Sequence, residues 1–181
     1  MNDSTISQYE NGLPIVAVIG RPNVGKSTLF NRMVGRRKAI TDPTPGVTRD
    51  PVEAVYSFDN RAVKLIDTGG YKLEQEGLDS LVSNRSLEIM ESADLVLFLM
   101  DVMEITPEDE GLIKLLRTYS KKVLVVVNKV DHRGREADVW NYYSLGFDHV
   151  IGMSAEHGIG LTELDEKLEE LINFDLLRVK E

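Results

Sequence analysis

Residues 15–31, IVAVIGRPNVGKSTLFN, decide the fold. Ile15–Ile19 is an unbroken apolar run with the length of one buried strand, and it stops at Gly20. Gly20 to Ser27 then reads GRPNVGKS, which fits G-x-x-x-x-G-K-S/T, and an amphipathic helix opens at Lys26. A strand, a glycine-rich turn and a helix starting at the lysine together form a phosphate-binding loop. The N–H groups of the turn and the positive end of the helix dipole converge on an anion there. Lys26 is placed to reach the outer phosphates, and the Ser27 hydroxyl to complete a Mg²⁺ shell. A chance match in a glycine-rich turn would lack the strand before it and the helix after it. Gly20, Arg21, Pro22, Asn23, Val24, Gly25, Lys26, Ser27 and Thr28 are therefore the expected phosphate-binding residues.

A second motif selects the base. Val123–Val127 is another buried-strand run, and it ends in Asn128-Lys129-Val130-Asp131, an N-K-x-D tetrad. Its aspartate can accept two hydrogen bonds from the N1–H and exocyclic amine of guanine, where adenine has no donors. A site built on such a carboxylate rejects the wrong base, because binding it leaves a buried charge unpaired. Asn128 suits the N7 and O6 side of the purine, and the Lys129 stem can lie along base and ribose. After the last strand-like segment, Ser154-Ala155-Glu156 adds a backbone N–H, that of Ala155, which can donate to guanine O6. The nucleotide is expected to be GTP or GDP.

Two further segments complete the expected constellation. Asp67-Thr68-Gly69-Gly70 leaves the end of a strand at Val63–Ile66. Asp67 there can hold the metal through water, and the Gly70 N–H can sense a γ-phosphate. The loop Thr41–Asp50 is rich in Pro, Gly and Thr, and Thr48 is the expected Mg²⁺ ligand of a first switch. Mg²⁺ would thus have Ser27, Thr48 and Asp67 as its protein ligands. His132, His149 and His157 have no metal-like spacing and are expected at the surface, with His157 near the base pocket. Trp140, Tyr142 and Tyr143 fall together on the fourth helix and are expected to pack in the core and at its rim rather than to form a stacking platform.

The chain has 181 residues, the size of one α/β domain, with 42% hydrophobic residues and no cysteine. Nothing in it suggests a disulfide framework or a thiolate metal site. Residues 1–13 are polar and read as a flexible leader, not a secretion signal. The apolar run Leu95–Met100 is far too short to cross a bilayer, so a cytoplasmic protein without a membrane partner is expected. A net charge of −9 opposes broad contact with RNA. Arg32, Arg36, Arg37 and Lys38 cluster beside the phosphate loop and read as a solvated helix end before they read as an RNA contact.

Strand-like segments fall at 15–20, 52–58, 61–67, 94–100, 122–128 and 148–152, with a tight polar turn at Asp59-Asn60 that predicts an antiparallel hairpin. Helical spacing covers 26–35, 79–92, 107–119, 136–144 and 161–173. Thr106-Pro107 reads as a cap and first helical position. The alternation predicts a doubly wound α/β domain with a six-stranded, mostly parallel sheet, one antiparallel strand and five flanking helices.

GRPNVGKSTLFNR, TPGVTRD, DTGGY, NKVD, YSLGF and SAEHG, in that order, resemble the first GTPase domain of the Der (EngA) family, bacterial tandem GTPases of the TrmE-Era-EngA-like superfamily. The resemblance covers residues 14–173, a single P-loop G domain. It implies GTP hydrolysis serving assembly of the large ribosomal subunit. It also implies a second G domain and a KH-like domain beyond the tail 174–181, which would carry contacts to that subunit or its rRNA, with the isolated domain a monomer. It implies that Asn23 helps bind a potassium ion bridging the phosphates. Tyr71 after DTGG departs from the aliphatic residue usual in the family, and many GTPases carry a water-orienting glutamine there. Gln8 and Gln75 are the only glutamines of the chain. Lys26, Thr48, Gly70 and Asn23 are the expected catalytic groups. A GTP- or GDP-gated binding module with negligible hydrolysis of its own is the alternative. A P-loop kinase has no use for N-K-x-D.

Overall fold

The computed structural model describes residues 12–35, 52–68, 84–118, 122–131 and 133–174. Among them six strands alternate with helices: β1 Ile15–Ile19, α1 Lys26–Val34, β2 Val52–Phe58, β3 Arg61–Asp67, α2 Asn84–Ser92, β4 Leu95–Asp101, α3 Pro107–Thr118, β5 Val123–Asn128, α4 Glu136–Val139, β6 His149–Gly152 and α5 Leu161–Leu171. The sheet order is β2-β3-β1-β4-β5-β6. β2 and β3 pair antiparallel and every other neighbouring pair is parallel, the doubly wound arrangement expected. At the hairpin Asp59 has φ 42° and Asn60 φ 62°. Two successive left-handed residues match the right-handed twist of the strands they join, and Asp and Asn tolerate that region.

The central strand explains why its sequence does not alternate. All seven residues of β4 are buried. Leu95, Leu97 and Leu99 face a layer that includes Leu29, Phe30 and Met33 of α1 and Leu164, Leu168 and Leu171 of α5. Val96, Phe98 and Met100 face the opposite layer, with Ile89 and Met90 of α2 and Leu112, Ile113 and Leu116 of α3. A sheet covered on both faces needs apolar residues at every position of its central strands. At α3 the cap is reciprocal: the Asp109 N–H donates to Thr106 Oγ1 at 3.3 Å and the Thr106 N–H to Asp109 Oδ2 at 2.8 Å, with Pro107 in the first helical position.

The helix expected over 136–144 is different. One α-helical turn, Glu136–Val139, lies between 3₁₀ turns at Arg133–Arg135 and Trp140–Leu145, and the segment closes at Gly146 with φ 93°. Asn141, Tyr142, Tyr143 and Ser144 are weak helix formers, and the Ser144 hydroxyl bonds back to the Asn141 carbonyl at 2.7 Å. The helix expected from 79 is described from Asn84 onward. The leader, the tail after 174, Arg36, Arg37, Lys38, Thr48, Gly69, Gly70, Tyr71, Gln75 and His132 lie outside the described residues. Among those described, no helix is long and apolar enough to cross a membrane.

β1, β3, β4, β5 and β6 run in one direction, so the segments after Ile19, Asp67, Asp101, Asn128 and Gly152 meet along one edge. Open α/β sheets bind their ligands at that edge.

Candidate functional site

The phosphate loop follows β1 and turns through two left-handed residues, Asn23 at φ 69° and Gly25 at φ 101°. Gly25 is the N-cap of α1 and no side chain caps that helix. The start of a helix is where backbone N–H groups lack intrahelical acceptors and where an anion binds. A Cβ on Gly25 would sit 2.2 Å from Asn128 Nδ2, so both the backbone angle and the space require glycine. Val24 is fully buried and anchors the loop in the core. Lys26 is half-buried, while Ser27 and Thr28 are exposed at the start of α1. The Arg21 side chain is committed elsewhere: Nε donates to Asp109 Oδ2 at 3.0 Å, and Nη2 lies 4.0 Å from Asp101 and 3.9 Å from Glu104.

Asn128, at the end of β5, joins the two halves of the site. Its Nδ2 donates to the Val24 carbonyl at 2.8 Å, and its Oδ1 accepts the Ala155 N–H at 3.0 Å. The N–H expected to meet guanine O6 is thus held by Asn128 in this structure, and a base carbonyl would share or take it. Lys129 has φ 70°, a strained conformation for a residue with a Cβ and one that clusters at functional sites. Its Nζ donates to the Asn23 carbonyl at 3.1 Å and to Asp101 Oδ2 at 2.8 Å. Val130 is buried, and its N–H donates to the Met153 carbonyl at 3.0 Å. Asp131 is partly exposed and is steadied by the Ser154 hydroxyl at 2.8 Å and by His157 Nε2 at 3.9 Å. Glu156 is exposed.

At the end of β3, Asp67 is buried and pairs in register with Val18 of β1. The Thr68 hydroxyl donates to the Val18 carbonyl at 2.8 Å, so this side chain locks β3 to β1. A buried carboxylate and an exposed Ser27 hydroxyl are the hard oxygen donors that Mg²⁺ takes. No group of three or more His, Cys, Asp or Glu among the described residues could cage a metal.

Asp101 and Asp109, outside the motifs, and Arg32, which closes GRPNVGKSTLFNR, hold the site together. Asp101, at the end of β4, takes Lys129 on Oδ2 and the Met103 N–H on Oδ1 at 2.8 Å, and its carbonyl accepts the Tyr142 hydroxyl. Burial pushes the Tyr142 phenol up to about 12, with the Asp101 and Asp109 charges adding to it. Asp109, fully buried, pairs with Arg21; breaking a buried pair of this kind costs about 3–5 kcal/mol because one charge is left alone. Asp109 Oδ1 and Arg21 Nη2 are buried without a hydrogen bond to any described residue. Arg32 is exposed, as a solvated helix end requires, and it also donates from Nε to the Ala155 carbonyl at 3.1 Å and from Nη2 to the Glu156 carbonyl at 2.6 Å. The signal for all three is long-range: Arg21 and Asp109 are 88 positions apart, Arg32 and Ala155 123.

The chain is similar to known proteins. The sequence profile of the 50S ribosome-binding GTPase family matches residues 15–129. GTPase Der of Citrifermentans bemidjiense is 46% identical over 165 residues, covering 90% of this chain and 37% of that protein; the chain thus spans little more than a third of this relative. Among solved structures, an Era variant of Aquifex aeolicus bound to GDP·AlF4⁻ superposes with a TM-score of 0.70 at 27% identity, covering 90% of this chain and 57% of that one. Era in complex with MgGDPNP and a segment of 16S ribosomal RNA gives 0.66 at 26% identity over the same shares. With the profile spanning more than half its length and the phosphate and base loops joined through Asn128, the chain belongs to the family of 50S ribosome-binding GTPases and fits the G domain of its Der members.

Proposed function

We propose that this domain binds GTP with Mg²⁺ and hydrolyses it to GDP and phosphate, as a switch within a larger protein serving large-subunit assembly. The observation that carries the reading is Asn128, bonded at once to the phosphate loop at Val24 and to the base loop at Ala155. One ligand spanning both loops accounts for a buried amide spent on their spacing. Lys26 and the open N-terminus of α1 would hold the phosphate charge, and Asp131, oriented by Ser154, would accept the guanine edge. Mg²⁺, with Ser27, Asp67 and Thr48 as its protein ligands, would neutralise charge between the outer phosphates. Gly70 would donate its N–H to the γ-phosphate, and Asn23 would help seat a potassium ion there. Ribosomal contacts would fall to segments beyond this one, since the domain carries a charge of −9.

Tyr71 supports the second reading, a nucleotide-gated module, because a phenol at the usual glutamine position orients water poorly. Steady-state hydrolysis of GTP and ATP, in K⁺ and in Na⁺ at equal ionic strength, separates the two, with Lys26→Ala as blank. The expected GTP turnover in Na⁺ is on the order of 10⁻⁴–10⁻³ s⁻¹, rising several-fold in K⁺, with none for ATP. Equal rates in both salts remove the potassium site. Turnover no higher than the blank, with GDP binding intact, selects the gated module.

A further inference from the structure

Beside the nucleotide loops the surface opens into a groove of about 470 Å³. One wall is the segment after β5, where Glu136, Trp140 and Tyr143 share a face at four- and three-residue spacing. The other wall is the approach to α5, with Ile159 and Glu163, and Met153 lies at its floor. Trp140 is 72% exposed, Tyr143 42% and Ile159 49%. Core and rim packing, expected for all three aromatics of this segment, suits Tyr142 and not Trp140. The Trp140 and Tyr143 rings stack on each other at 5.5 Å and 28°. The Tyr143 hydroxyl pins that pair to the Val150 carbonyl on β6 at 2.9 Å. The result is a fixed aromatic platform with an open indole surface.

The charged residues that line the groove are acidic. Asp131, Glu136 and Glu163 line the groove, and no described lining residue is cationic. An apolar segment seated here would take the Glu136 and Glu163 carboxylates from water and offer them no partner, which is unfavourable. A nucleic acid strand would be repelled by the same charges. A cation over an indole with carboxylates in reach gains both the ring quadrupole and charge-assisted hydrogen bonds. A guanidinium is planar, stacks on indole and is more weakly hydrated than an ammonium. We propose that this groove docks an arginine-bearing segment of a partner protein, its guanidinium over Trp140 and countered by Glu136 and Glu163. The inference stands whether or not the neighbouring loops hydrolyse GTP.

Trp140 is the single tryptophan of the chain, so its fluorescence reports on the groove directly. The test titrates the 181-residue chain, at low salt, with a capped hexapeptide carrying two arginines, and with its lysine and citrulline counterparts. Binding is read from Trp140 and from the anisotropy of the labelled peptide. The arginine peptide should saturate in the sub-millimolar range, the lysine peptide bind several-fold weaker, and the neutral citrulline peptide about tenfold weaker or less. Glu136→Gln with Glu163→Gln should weaken the arginine peptide about fivefold or more at unchanged GDP affinity. Trp140→Ala should remove saturable anisotropy. Both glutamates are exposed, so their variants carry the test even if Trp140→Ala is poorly folded. Equal binding of the citrulline peptide would overturn the proposal. So would equal binding by the double glutamine variant, which would mean general attraction to the −9 surface. Displacement by oligouridine would make the aromatic pair a base platform instead. A concentration-dependent dimer in sedimentation, abolished by Trp140→Ala, would make the occupant a second copy.

Discussion

The Asp131 carboxylate is held by the Ser154 hydroxyl at 2.8 Å, with His157 Nε2 at 3.9 Å, so on the proposed function it would meet a base already oriented. An amide at 131 could donate where the carboxylate can only accept. Asp131→Asn should therefore weaken GDP binding on the order of a hundredfold and favour xanthosine diphosphate, whose carbonyl replaces the exocyclic amine. Titration calorimetry with both nucleotides checks this, and unchanged GDP affinity would remove Asp131 from the base pocket. Asp101 makes a different prediction. Its carboxylate fixes Lys129 at 2.8 Å while Lys129 reaches the Asn23 carbonyl at 3.1 Å, tying base loop to phosphate loop. Asp101→Asn keeps the size and can still accept the Met103 N–H, but it removes the charge facing Lys129 and Arg21. GDP affinity should fall about tenfold with the preference for guanine over xanthine unchanged, because nothing at 131 has moved. The same titrations decide it: a changed base preference would put Asp101 in base reading, and unaltered affinity would leave the Lys129 contact incidental.

Between β2 and α5 one tie is the Tyr56 hydroxyl donating to Asp165. Burial pushes the Asp165 carboxyl up from 3.8, more than the Tyr56 hydrogen bond pulls it down. A carboxyl that binds its proton more tightly when folded contributes stability that is complete below pH 3.8 and lost as pH rises through the folded value. Near neutral pH the charge is a liability, and Asp165→Asn keeps an acceptor for Tyr56 without it. That variant should melt at or slightly above the parent near neutrality, by under about 1 kcal/mol because the site is partly solvated. The gap should close in acid, where Asp165 is itself neutral. Thermal unfolding across that range checks it, and a variant less stable at neutrality would show that the charged hydrogen bond outweighs desolvation. Strands and long helices were legible because burial on one or both faces writes its period into local sequence, as in β4 and α5. The segment after β5 was not, since Tyr142 is held by the Asp101 carbonyl and not by a helical stripe. The roles of Asp101, Asp109 and Arg32 are not legible locally for the same reason: each has a partner remote in sequence, Lys129, Arg21 and Ala155.

The nucleotide loops leave β1, β3, β5 and β6 of one sheet, and that sheet is the wall shared by both core layers. A ligand gripping these loops opposes separation of the strands behind them, so its binding energy should appear as stability of the whole domain. Nucleotide at a hundred times its dissociation constant adds about 2.7 kcal/mol. For a chain of this size that raises the Tm by about 5–11 °C. GDP should produce this rise in a single cooperative transition. ADP at the same concentration should produce none, since Asp131 would be buried against a base without donors. Differential scanning calorimetry with each nucleotide provides the measurement. Two transitions with only one moved by GDP would mean that the layers unfold separately. An equal rise with ADP would locate the binding energy in the phosphate loop alone and leave N-K-x-D without a role in choosing the base.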